Sequence, residues 1–169
     1  MSVTLFHAIV FYGFAALAVI SALVVVAQRN PTYSAFAFIV TLVSLSGVFG
    51  LLGASFIAVL QVVVYAGAIM VLFLFVLMLL NVKAEARVEG QSVVFKLVAL
   101  ALGVALVAEV GAVLVAWPAP VAAAFDASAR PVAQLLFEVK YLYVFEATSI
   151  LILASLVGAI ALAKRDPAP

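Results

Sequence analysis

From Ala54 to Leu80 the chain runs without a single charged residue. About 20 apolar residues in a helix cross the hydrocarbon of a bilayer, so this stretch alone is long enough to span. Its middle is unusual for a plain anchor. Gln61, Tyr65 and Gly67, with Ala66 and Ala68 flanking the glycine, stand where leucines would serve a lipid-facing helix. Gln61 and Tyr65 are four residues apart and so project from one face of one helix. The whole chain repeats the theme: of its 169 residues 70% are hydrophobic and 9% charged. A soluble domain could not cover such a sequence with polar surface. The chain reads as an all-α integral membrane protein.

Runs of spanning length predict five transmembrane helices, at Val3–Ala27, Tyr33–Gly53, Ala54–Leu80, Val93–Trp117 and Leu142–Ala163. Together they make one membrane domain covering residues 1–169, with an extramembrane connection at 118–141. Asn30-Pro31 separates the first pair, because proline disfavours helix at the residue before it. Within the fourth connection, Pro131–Lys140 suits a short interfacial helix. The first apolar run reads as a membrane helix, since it lacks the basic start and cleavage site of a removable signal peptide.

Lys and Arg counts set the orientation. Arg29 follows helix one, Lys83 and Arg87 follow helix three, and Lys164 and Arg165 form the tail, with Lys96 near enough to the third connection to snorkel toward it. The turn between helices two and three is uncharged, and the fourth connection balances Arg130 and Lys140 against Asp126 and Glu138. The bias predicts an outside N-terminus and a cytoplasmic C-terminus.

The same inventory excludes several chemistries. With no cysteine, the chain holds no disulfide, thiolate metal site or iron–sulfur cluster. With His7 as the only histidine it cannot hold a bis-histidine haem, and His7, near the outer end of helix one, reads chiefly as an interfacial residue. A net charge of +1 gives no reason to expect nucleic acid.

Polar groups at membrane depth are the candidates for function. At about 1.5 Å rise per residue, Glu109 lies roughly 6 Å, Glu146 roughly 10 Å and Gln61 roughly 9 Å from the midpoints of their spans. A carboxylate at membrane depth costs on the order of 2.5–3.5 kcal/mol and should face protein, water or a partner. One reading makes these residues a proton or water path. The other gives Glu146 a place in the first turns of its helix, near interfacial water and favoured by the helix dipole, and gives Glu109 a hydrogen bond to a neighbouring subunit. Tyr65, roughly 3 Å from its midpoint, is too deep for an interfacial anchor, and its hydroxyl needs a partner. Gly67 between Ala66 and Ala68 serves either close helix packing or a kink or π-bulge; spacing alone favours packing. Small pairs spaced by four recur at Ser46 and Gly50, Ala99 and Gly103, Ala154 and Gly158, and Ser155 and Ala159, which suits a component packed on several sides.

The run from Phe56 to Asn81, with its core Tyr65-Ala66-Gly67-Ala68-Ile69 and the following Val71-Leu72-Phe73, resembles the third helix of subunit J of bacterial NADH:quinone oxidoreductase, respiratory complex I. The mitochondrial counterpart is NADH dehydrogenase subunit 6. Arg29-Asn30-Pro31, Ser46-Gly47-Val48, Phe145-Glu146 and Val157-Gly158-Ala159-Ile160 extend the resemblance over nearly the whole chain. Helix four and the fourth connection carry no signature.

The resemblance implies a multi-pass subunit of the bacterial inner membrane that binds no cofactor itself. NADH, FMN, iron–sulfur clusters and quinone would belong to other subunits. Its partners would be the quinone-site subunit, the small three-helix subunits and the antiporter-like subunits of the membrane arm. It also implies a third helix that forms and relaxes a π-bulge near Tyr65 to Gly67, joining or breaking a water path between the quinone end and the pumps. Tyr65, Ala66, Gly67 and Ala68 would be hinge and gate; Gln61, Glu146 and Glu109 would be candidates for the path. Two departures stand out. Gln61 replaces a glutamate found in some members, so this position cannot titrate, and Val144 replaces a common proline before Phe145-Glu146. Two other classes compete with this reading: an autonomous proton-coupled transporter or channel using Glu109 and Glu146, and a purely structural membrane subunit.

Overall fold

A computed structural model describes residues 2–80, 93–116 and 127–164. They form α1 (Ser2–Ala27), α2 (Pro31–Leu51), α3 (Ser55–Leu60), a π-helical segment (Gln61–Ile69), α4 (Met70–Leu79), α5 (Val93–Ala116), α6 (Ala129–Leu136) and α7 (Val139–Ala163), with no strand among the described residues. The helix α3, the π segment and α4 run on as one span, Ser55–Leu79, so five helices are long and apolar enough to cross a membrane. At 25 residues that third span is about 37 Å long, against about 30 Å of hydrocarbon. The architecture is the all-α membrane fold that the apolar runs predict. Lys83, Arg87, Trp117, Asp126 and Arg165 lie outside the described residues.

Helices α1 and α2 form an antiparallel pair joined by a three-residue link. The expected start of the second helix at Tyr33 moves to Pro31, because proline fits the first position of a helix, where no N–H is needed. Asn30 makes the cap: its Oδ1 accepts the Thr32 backbone N–H at 2.9 Å. Along the interface the hydroxyls of Ser21 and Thr41 meet at 2.8 Å in a buried hydrogen bond, and Ser34 Oγ donates to the Val25 carbonyl at 2.8 Å. Such bonds tie helices together in a medium without water to compete for them. Ser21→Ala is expected to lower the thermal stability of the assembled protein by about 0.6 kcal/mol, read from melts of the single and double variants with Thr41→Val.

The turn from α2 to α3 has a defined form. The second helix ends at Leu51, two residues before the expected Gly53. Gly53 takes φ 84, a left-handed conformation that side chains resist. With it the Gly53 N–H reaches the Gly50 carbonyl at 3.3 Å and the Ala54 N–H reaches that of Phe49 at 3.0 Å, the two bonds of a Schellman motif. The reversal then packs the third span on α2. Ser46 Oγ donates to the Ala58 carbonyl at 2.7 Å, and a Cβ at Gly50 would lie 3.8 Å from that of Ala58, ordinary contact. The predicted small pair Ser46 and Gly50 is therefore the seat of α3.

Helices α5 and α7 differ from this three-span group: neither contains a buried residue. A Cβ added at Gly103 or Gly158 would meet nothing within 4 Å, so among the described residues the small-residue faces of both helices are open. The expected interfacial helix at Pro131–Lys140 falls at Ala129–Leu136, and the last span begins at Val139 rather than Leu142. Glu138, with extended backbone, stands between the two helices as the cap of α7.

Candidate functional site

The third span leaves α-helical geometry where its small residues cluster. From Gln61 to Ile69 the backbone is π-helical, a stretch that covers Tyr65, Ala66, Gly67 and Ala68. At its end the Met70 N–H points to the carbonyl of Tyr65, five residues back, as well as that of Gly67. A π turn is wider than an α turn, rare, and frequently met at functional positions. Gly67 fits this shape for a steric reason: a Cβ there would sit 3.2 Å from the backbone oxygen of Val62, also five residues back. That is a tight contact with an atom that moves only if the helix moves.

The segment has a held side and a free side. Ala66 and Met70, 6% and 5% exposed, form a small core with Ala35 and Leu42 of α2, flanked by Ile39, Leu74 and Leu77. Tyr65, the neighbour of Ala66, is 51% exposed. Its ring and hydroxyl point off the packed face, and among the described residues the hydroxyl has no hydrogen-bond partner. Gln61 is half-buried and Ala68 exposed. A tyrosine at this depth with an unbound hydroxyl meets either water or a polar group of another chain.

The two carboxylates do not join this site. Glu109 is exposed on α5 among Leu106, Val110, Val113 and Leu114. Glu146 is exposed on α7. The earlier start of α7 takes Glu146 out of the reach of the helix dipole. It lies beyond the first turn, which contains no acidic residue, and the helix dipole acts within a turn of the end. Its polar neighbours are satisfied along their own helix: Thr148 Oγ1 donates to the Val144 carbonyl at 2.7 Å, and Ser149 Oγ to that of Phe145 at 3.1 Å. Glu146 is thus the strong polar group on this part of α7 that still seeks a partner. Among the described residues no group of three or more His, Cys, Asp or Glu side chains comes together as a metal site.

Sequence reading missed the contact of Ala66 and Met70 with α2 and the Ser21–Thr41 bond. The i, i+4 spacing of Ala66 and Met70 was available as a signal; the register between α1 and α2, which pairs Ser21 with Thr41, was not.

Five helices of membrane-crossing length, three packed together with a π-helical segment in the third and two with their faces open, define a polytopic helical membrane protein. Comparison with known proteins is specific. Residues 21–162 match the family described as NADH-ubiquinone/plastoquinone oxidoreductase chain 6. The chain is 35% identical over 164 residues to NADH-quinone oxidoreductase subunit J of Rhodobacter capsulatus, covering 92% of this chain and 80% of that one. Against subunit J of Pseudomonas aeruginosa it is 35% identical over 161 residues, 92% of this chain and 96% of the other. Against NAD(P)H-quinone oxidoreductase subunit 6 of the Paulinella chromatophora chromatophore it is 35% identical over 162 residues, 94% and 78%. The chain belongs to the NADH-quinone oxidoreductase subunit J/chain 6 family, the membrane-arm subunits of complex I, and is a multi-pass protein of the bacterial inner membrane. Its partners are other subunits of that complex.

Proposed function

We propose that this chain acts in coupling rather than in electron transfer, linking quinone reduction to proton translocation through its third span. The observation that carries this reading is the π segment, where Gly67 fits and where Tyr65 stands free beside the anchored Ala66. Adding or removing the extra residue of a π turn rotates the following helix by about 100°, the angle per residue of an α-helix. Such a rotation would carry Tyr65 across the face of the span and move α4 with it. A switch of this kind needs two packings only a few kcal/mol apart. A single small core of Ala66, Met70, Ala35 and Leu42 is a modest barrier to leaving the first.

In this reading Gly67, with Ala66 and Ala68, is the hinge and Tyr65 the gate. Gln61 supplies a hydrogen-bonding group that does not titrate, so the path at this point is a water chain rather than a carboxylate relay. Glu146 is the ionisable member, and Glu109 meets a neighbouring subunit. The chain itself holds no redox group; NADH, FMN, iron–sulfur clusters and quinone sit in other subunits. Its contacts are the quinone-site subunit, the small three-helix subunits and the antiporter-like subunits. Arg29 after α1 and Lys164 after α7 favour an outside N-terminus and a cytoplasmic C-terminus.

Two experiments test the reading. On a native gel of membranes solubilised in mild detergent, the chain should run within a large band that oxidises NADH; migration alone or as a small oligomer would replace coupling with autonomous transport. Tyr65→Phe then separates gate from scaffold. A purely structural tyrosine costs about 1 kcal/mol of stability, one hydrogen bond, with turnover unchanged. A gate loses proton pumping per electron several-fold while the complex melts as before.

A further inference from the structure

The corner where α6 meets α7 has a second binding feature, well away from the π segment in sequence and chemistry. Helix α6 is amphipathic: Val132, Leu135 and Leu136 share one side, and Arg130 and Gln134 the other. An amphipathic helix leading into a spanning helix lies at the boundary of lipid and water, and Tyr141 and Tyr143 at the start of α7 suit the same level. The corner is pinned by the rings of Phe137 and Phe145, whose centroids are 5.1 Å apart at 62°.

Between the two helices runs an open apolar groove of about 260 Å³, walled by Val132, Leu135, Leu136, Tyr141 and Val144. A cation stands beside one of its walls, Tyr141. Lys140 lies one turn before Val144 on the same side of α7, and its Nζ sits 5.3 Å from the centroid of the Tyr141 ring. Neither Lys140 nor Arg130 forms an ion pair among the described residues. Two acidic residues are near in sequence. Glu138, the cap of α7, is exposed. Glu146 falls on the far side of α7 from Tyr141 and Val144, by the 100° step of the helix.

An apolar trough beside an interfacial helix, with a cation that has no ion pair among the described residues over one wall residue, Tyr141, matches a lipid with a negatively charged head. We infer that this corner binds an anionic phospholipid, one acyl chain lying along Val132, Leu135 and Val144 and the phosphate paired with Lys140. A zwitterionic lipid fills the same trough but gains less from the lysine, since its own cation offsets the phosphate. The site is independent of the coupling role proposed above.

The test uses the intact purified complex in nanodiscs with two photoactivatable probes, a phosphatidylglycerol and a phosphatidylcholine carrying the same diazirine acyl chain. Labelled peptides spanning 132–144 are quantified by mass spectrometry. The phosphatidylglycerol probe should label them about fivefold more, the worth of one basic side chain near a membrane surface. Lys140→Gln should bring that ratio to about one while the phosphatidylcholine signal stays, and Leu135→Trp, which fills the trough, should lower both. Equal labelling of the unsubstituted complex by the two probes would overturn the inference in favour of ordinary bulk lipid. Failure of both probes, with a photo-crosslinker at Leu136 capturing another subunit, would overturn it in favour of a protein-covered groove.

Discussion

Replacing Gly67 by valine should uncouple or silence an assembled complex, with quinone reductase activity falling about tenfold or more. A Cβ alone at this position comes 3.2 Å from the Val62 oxygen, and valine adds two methyl groups at the branch. Overpacking of this kind costs about 1–3 kcal/mol. The contact belongs to the π-helical form, so the penalty biases the span away from it. If the working cycle needs both forms within a few kcal/mol of each other, a bias of that size shifts their ratio by about 5- to 150-fold. Gly67→Ala, with the Cβ alone, should show the smaller loss. The measurement pairs NADH:quinone activity and protons pumped per electron with NADH oxidation by an acceptor that bypasses quinone, which reports assembly of the remaining enzyme. Unchanged pumping and unchanged quinone activity in the valine variant would end the hinge proposal.

The prediction depends on which side of the third span is held. Tyr65 and Ala66 are adjacent yet differ from half-exposed to buried, so one side chain is fixed against α2 while the next is free to sweep. Valine at Gly67 acts on the backbone immediately after them. Phenylalanine at Tyr65 acts only on the free side and leaves the backbone alone. The two variants therefore test hinge and gate separately.

Much of this was legible in the residues. The five spans are written as apolar runs because lipid demands them, and among the described residues no expected end is off by more than three residues. Those misses have local causes. Pro31 serves as the first residue of α2 with Asn30 as its cap, so a proline that ends one pattern begins the next. The start of α7 at Val139 depends on Glu138 adopting an extended conformation, which hydropathy does not record. The pairing of spans was less legible. Ser46 was visible as a small residue, but its bond to the Ala58 carbonyl depends on the Gly53 turn setting the register. The site divides in the same way. Gln61 and Tyr65 were conspicuous as polar groups in a spanning helix. The separation of Glu109 and Glu146 from them was invisible, since a one-dimensional pattern says how deep a carboxylate lies and not which neighbour it faces.

Gly47 carries the second large expectation, and it concerns whether the subunit forms at all. A Cβ there would lie 2.7 Å from both Cδ1 and Cε1 of Phe14 and 2.8 Å from its Cγ. Real Cβ atoms do not approach so closely, and Cγ is the least mobile ring atom, tied directly to Cβ of α1. Gly47→Ala must therefore push α1 off α2 or force the ring from its rotamer, costing about 1–3 kcal/mol. Two side-chain hydrogen bonds tie α1 to α2, the buried Ser21–Thr41 bond and the Ser34 bond to the Val25 carbonyl, and membrane measurements put such bonds near 0.6 kcal/mol each. The insult is comparable to the sum of those bonds. The expected result is a several-fold drop in the subunit found in the assembled complex, measured by quantitative mass spectrometry of the native band. Phe14→Leu should cost little alone, because α1 is otherwise largely exposed at this level, and should restore most of the loss when combined with Gly47→Ala. Two residues in contact couple in this way and two distant ones add. A double variant no better than Gly47→Ala alone would show that Phe14 is not what excludes a side chain from position 47.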